Sequence, residues 1–236
     1  MRRFALLVLL TLAVPRAAAA APQPYHGGLF RYWLFNDKND LRDYLYYIVP
    51  GRWHGQIEYW DFVSGDDQLR PELGLHLPDR RGSVYTLAGR AEMHLPAPHF
   101  SQYRFWLGTD QVLSDHAVGR VQVDVITSPH FNPEYVETVG GDYYWGSWNF
   151  FSASAIHDPR ESGLWTFPCR LRVANEDNDW IQFTLAPAVH QTWGWAVDLK
   201  KGWVRAGIER NDRYDFTNRN NVIFTLGFEK PLGRRP

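Results

Sequence analysis

The sequence predicts an all-β fold: a closed, antiparallel, up-and-down transmembrane β-barrel of about twelve strands. Three observations lead there. Apolar and polar residues alternate with period two along one segment after another. No helix-period run of convincing length follows the N-terminal stretch, and the segments are longer than strands of ordinary globular sheets. In GRVQVDVITS (119–128), Val121, Val123 and Val125 point one way from an extended strand, while Arg120, Gln122 and Asp124 point the other. The same split sets Tyr103, Phe105 and Leu107 against Gln102, Arg104 and Trp106, and Leu171 and Val173 against Arg170 and Arg172. It returns with Val204, Ala206 and Ile208 against Arg205 and Glu209, and with Val222, Phe224, Leu226 and Phe228 against Thr225, Gly227 and Glu229. A soluble β-sandwich alternates too, with its charged face in bulk water, and is the alternative fold. Small residues set among large ones (Gly89, Gly108, Gly146, Gly207, Gly227) and arginines in mid-strand favour the closed, curved sheet.

The chain begins with MRR, the apolar run FALLVLLTLAV (4–14) and then AAAAAP. Residues 1–20 therefore read as a secretory signal peptide with a small-residue cleavage site at Ala18-Ala19-Ala20. The run is short for a bilayer-spanning helix. Residues 21–53 read as an N-terminal segment, where LFRYWLF and YLYYIV suggest either an extra hairpin or a plug at the domain's entrance. Residues 54–236 read as the barrel domain. Its strands are expected in QIEYWDF, ELGLHL, SVYTLAGRAEMHL, SQYRFWLGTDQVL, GRVQVDVIT and ETVGGDYYWG, then in SWNFFSASAI, LWTFPCRLRVA, WIQFTLAPAV, WAVDL, GWVRAGIER and NVIFTLGFE. Gly202 after Lys200-Lys201 supplies the backbone angle of a tight hairpin turn.

A single cysteine, Cys169, precludes an intrachain disulfide, so an exported fold must rest on its ladder and its packing. The net charge of −1 argues against a nucleic-acid partner. The 11 Trp, 12 Tyr and 14 Phe suit places where a side chain has one apolar and one wet end, a bilayer interface or a sugar-binding cleft.

Catalytic and metal constellations are weak. His94 and His99 lack a third ligand and read as solvated loop residues, as do His130 and His157. Ser152, Ser154 and His157 are close in sequence, but on a strand Ser154 and His157 face opposite sides, and no third group completes a triad. The acidic turn NEDND (175–179) lacks the further ligands of a calcium loop. Cys169 lies on an apolar face and reads as an inert thiol. No catalytic residue, metal or cofactor is assigned. The residues assigned to a lumen, as candidate solute contacts, are Arg104, Arg120, Asp124, Arg170, Arg172, Arg205 and Glu209, with arginines expected to outnumber acids.

The segments HFSQYRFWLG (99–108), GDYYWGSWNFFSAS (141–154) and GWVRAGIERNDRYDFTNRNNVIFTLGFEKPL (202–232) resemble the YaiO-type family of bacterial outer-membrane β-barrels. The resemblance covers residues 83–232 and rests on aromatic and glycine placements. One departure is that EKPLGRRP follows Phe228, where such barrels commonly end on an aromatic residue. The resemblance implies an envelope location and carries no functional site. The expected function is a non-enzymatic pore, export conduit or envelope scaffold in the bacterial outer membrane. Its partners would be outer-membrane lipid and an anionic solute or polysaccharide. The rivals are a barrel-embedded enzyme acting on lipid or lipopolysaccharide, and a periplasmic or secreted β-sandwich that binds or cuts carbohydrate with Trp145 and Trp148 as platforms.

Overall fold

The computed structural model describes residues 24–35, 40–78, 83–95, 99–129, 131–146, 148–158, 164–187, 193–211 and 221–232. They form one antiparallel sheet: β1 (Tyr25–Phe35), β2 (Leu41–Val49), β3 (Trp53–Phe62), β4 (Gln68–Pro78), β5 (Val84–His94), β6 (His99–Ser114), β7 (Ala117–Ser128), β8 (Phe131–Trp145), β9 (Asn149–Asp158), β10 (Leu164–Thr166), β11 (Cys169–Ala174), β12 (Trp180–Pro187), β13 (Trp193–Lys201), β14 (Val204–Asn211) and β15 (Asn221–Pro231). Apart from β10 and β11, which both pair with β9, each strand pairs with its sequence neighbours, and β15 pairs with β1 from Tyr25↔Pro231 to Phe35↔Asn221, which closes the sheet. The soluble-sandwich alternative is thereby excluded, since a sandwich has two separate sheets, whereas this one sheet closes on itself through β15 and β1.

The barrel has fourteen staves, because β10 and β11 are halves of one. Both pair with β9 in a continuous register (Thr166↔Ile156, Cys169↔Ala153), and Pro168 interrupts the ladder because it has no N–H to donate. The Ser154 N–H still reaches the Pro168 carbonyl at 3.0 Å. Twelve staves match segments expected from the sequence. The other two, β1 and β2, lie inside residues 25–50, so that stretch is a hairpin of the wall and the barrel begins at Tyr25 instead of residue 54. The signal peptide expected at residues 1–20 lies outside the described residues.

Closure explains the burial pattern. On β4, Leu73, Leu75 and Leu77 are exposed while Glu72, Gly74 and His76, on the other face, are covered. Leu107 is 61% exposed and Asp124 only 2%, the reverse of a water-soluble sheet. Apolar side chains out and charged ones in is the arrangement that hydrocarbon outside and water inside would select. Val121, Val123 and Val125 share the outer face, where the ladder sets them between Thr109, Leu107 and Phe105 of β6 and Val139, Glu137 and Tyr135 of β8. Leu171, Val173, Ile208, Phe224 and Leu226 lie on the same outer face. At the end where β1 begins and β15 ends, the outer aromatics Trp53, Tyr143, Trp145, Trp203 and Phe228 gather near strand ends and turns, as a girdle at a water–lipid boundary does. Trp145 and Trp148 belong to this rim. The 202–203 turn has Gly202 at φ 58°, where any side chain would be strained.

Candidate functional site

The inner face is built by register. Asp43 of β2 stands opposite Arg31 of β1 in the ladder, and their side chains approach to 2.5 Å. Arg31 also pairs with Glu58 of β3, which Arg90 of β5 reaches at 3.5 Å. Arg90 then holds Glu72 of β4 at 2.7 Å through Nη2 and 2.9 Å through Nε. Links that skip a strand, β1 to β3 and β3 to β5, are possible only on the concave side of a curved sheet. The chain of charges continues with Arg70, which pairs with Glu92 at 2.5 Å and lies 3.3 Å above the Trp60 ring.

A histidine relay extends it toward the end where β1 begins and β15 ends. The His54 Nε2 is 3.1 Å from Glu72, the His54 Nδ1 is 2.8 Å from His76 Nε2, and His76 Nδ1 is 3.2 Å from the Thr86 hydroxyl. Glycine at position 74 makes room for it: a Cβ there would collide with the His54 ring.

Of the seven residues assigned to the lumen, three sit on β6 and β7. Arg104 pairs with Asp124, which also accepts from the Gln122 amide at 2.7 Å. Arg120 is held by Asp110 at 2.7 Å and by Asp142 at 3.1 Å. The acids Asp110 and Asp142, like Glu58 and Glu72, were absent from the residues expected there. Their signal was the same period-two parity, but which charge meets which depends on register. Arginines therefore do not outnumber carboxylates on this side of the lumen, contrary to expectation.

The remaining four lie on β11 and β14. Arg205 approaches Asp198 at 3.4 Å and lies 5.5 Å from the Trp180 ring. Glu209 stands between Ala196 and Ile223 in the ladder, and among the described residues no hydrogen bond or ion pair reaches it. Arg172 gives Nε and Nη2 to the Gln182 carbonyl at 3.1 and 2.8 Å, with Trp180 and Phe150 rings 4.2 and 4.9 Å from its guanidinium. Arg170 has Ser152 on one side of the ladder and Thr184 on the other. Neither Arg170 nor Arg172 has a carboxylate partner among the described residues.

The other candidates resolve plainly. Ser152 and Ser154 face inward while His157 faces outward, 3.9 Å from Glu137 and stacked on Trp165 at 4.8 Å, so no serine–histidine pair forms. His94 and His99 end β5 and begin β6 instead of floating in a loop. Their rings stack at 4.8 Å, and His94 Nδ1 is 2.7 Å from Asp66. His130 lies outside the described residues. No group of three metal-ligating side chains occurs among the described residues. In the acidic turn, Asp179 is committed to the neighbouring hairpin: its carboxylate accepts from the Gly202 N–H at 2.6 Å. Cys169 lies on the outer face with Leu171 and Val173.

No family model and no curated protein matches the chain. Solved structures do. The KdgM porin in complex with disordered oligogalacturonate is 9% identical, with 88% of this chain and 99% of that one covered, at a TM-score of 0.56. The Acinetobacter baumannii outer membrane protein Omp33 is 9% identical over 90% of this chain and 99% of its own, also at 0.56. A structure described as a bacterial polysaccharide outer membrane secretin is 7% identical, covering 91% and 100%, at 0.53. At these identities the likeness is one of fold: the chain has the architecture of outer-membrane porins.

Proposed function

We propose that this chain is a passive diffusion channel of the bacterial outer membrane, exported by a signal peptide in residues 1–20. The observation that carries the reading is the inversion of the sheet, with exposed leucines and aromatics outside and a charge-lined face inside a closed wall. A polar inner face costs free energy unless water or counter-charges meet it, and a hydrated lumen supplies both. The end at which β1 begins and β15 ends faces the periplasm in this reading, and β14 ends and β15 begins at the other. The segment resemblance supports placing the chain with the YaiO-type barrels. The cargo is a hydrophilic anion, up to an acidic polysaccharide. Support comes from Arg170 and Arg172, the inner arginines without a carboxylate partner among the described residues, and from the similar KdgM porin, whose structure contains oligogalacturonate.

Single-channel recording of the full chain in planar bilayers tests this. Stepwise conductance is expected. A barrel that shifts on unboiled gels, and so is folded, yet stays electrically silent would overturn the channel in favour of an envelope scaffold.

A further inference from the structure

We propose that Arg170 and Arg172 of β11 form a docking site for the carboxylate of a hydrophilic solute, a proposal that rests on the channel reading. The two side chains leave the same face of one strand two residues apart, about 7 Å along the stave. Their ladder partners are all uncharged: Ser152 and Thr184 beside Arg170, Phe150 and Gln182 beside Arg172. Elsewhere on the inner face, Arg31, Arg70, Arg90, Arg104 and Arg120 each lie within ion-pair distance of a carboxylate. Two adjacent cations repel one another, and the carboxylates whose charge reaches Arg172, Asp198 and Glu229, lie beyond ion-pair distance of it and are engaged by Arg205 and Lys200. A diffusible anion can meet the pair directly.

The geometry favours a carboxylate. Gln182 takes Nε and Nη2 of Arg172 through one oxygen, and the two rings flank the guanidinium. The fork is thus fixed in orientation, with its Nη1 edge left to donate, and a planar fork matches a carboxylate better than a mobile ammonium would. Preorganisation of this kind removes the ordering cost that a free arginine would incur on binding. Arg170 supplies the second donor set and the Thr184 hydroxyl a neutral one beside it. Low-dielectric walls concentrate the field of such a pair into the lumen. Arg172 lies close to the end of β11 and Trp180 opens β12, so the site sits toward the end where β1 begins and β15 ends.

A carboxylate can come from a free sugar acid or from one unit of an acidic oligosaccharide. The full chain in planar bilayers is therefore titrated with glucuronate, with a trisaccharide of uronic acids and with neutral maltotriose, reading the reduction in ion current. Wild type should be blocked by one or both acids and not by maltotriose; block by the monomer alone identifies a sugar-acid site, and tighter block by the trimer an oligosaccharide site. Arg170→Gln, and the double variant Arg170→Gln with Arg172→Gln, should raise the half-blocking concentration at least tenfold while retaining conducting steps. Arg170→Lys, which keeps the charge and loses the fork, should fall between. Equal block of wild type and Arg170→Gln, or a conducting wild type that no acid blocks, overturns the site and leaves the channel standing. If the wild type does not conduct, the channel reading fails and calorimetry of the detergent-solubilised full chain with the same probes decides the site: heat from the acids that disappears in Arg170→Gln supports it, and no heat overturns it.

Discussion

On the wall formed by β3 to β8, every inner-face arginine meets a carboxylate, whereas on the wall from β9 to β12 two arginines meet none. The residue type is the same and the faces are equivalent. What differs is whether the register sets a carboxylate opposite the arginine or, as Asp124 lies to Arg104, diagonally across the ladder from it. Arg90 stands opposite Glu72, and Arg120 opposite Asp110, so those charges are spent on holding neighbouring staves together. Opposite Arg170 and Arg172 the register places hydroxyls, an amide and a ring. Register, and not composition, decides which arginines are structural and which stay available to a solute.

The widest gap between the walls should appear in stability. Arg90→Met leaves Glu58 and Glu72 buried beside each other without their shared cation, and losing one partner of such a network costs about 3–5 kcal/mol. Urea titration of the chain folded into lipid vesicles measures it, and a cost below 1 kcal/mol would mean the network is solvated like surface charge.

Outside, the walls should behave alike. Leu107→Arg on one side and Phe183→Arg on the other, both exposed to the surroundings, should each cost about 2–4 kcal/mol if they face the bilayer midplane. The same titration reads both, and an effect confined to one wall would place the other against protein or water. Gly74→Ala tests packing within the charged wall. The added methyl must displace the His54 ring, and overpacking of this kind costs about 1–3 kcal/mol. No loss would show that His54 gives way without penalty. Smallest is Arg170→Met, which breaks no ion pair and should change stability by no more than about 0.5 kcal/mol. A cost comparable to that of Arg90→Met would erase the contrast.

Much of this was legible in the sequence where one face is apolar. GRVQVDVITS shows its two media directly, because Val121, Val123 and Val125 outside alternate with Arg120, Gln122 and Asp124 inside before Ile126 turns inward, and β6, β11, β14 and β15 read much the same way. The β1–β2 hairpin did not, since its inward positions include Leu29, Trp33, Leu41 and Leu45, so both faces of YHGGLFRYWLF and LRDYLYYIV carry apolar residues and parity loses its contrast. The inner carboxylates were visible as residues but not as partners: whether Glu72 meets Arg90 follows from how β4 and β5 slide against one another, a property no single strand contains.

The central claim is a wet inner face and a lipid-facing outer one on both walls. Single cysteines placed one at a time at Thr138 and Thr184 inside, and at Val123 and Leu171 outside, test it most directly. The background is Cys169→Ser, which removes the native outer thiol. The variants are reconstituted in vesicles and treated with a charged, membrane-impermeant thiol reagent. The inner pair should be labelled in native vesicles and the outer pair only after detergent unfolding. Labelling of Val123→Cys and Leu171→Cys as fast as the inner pair would contradict the account.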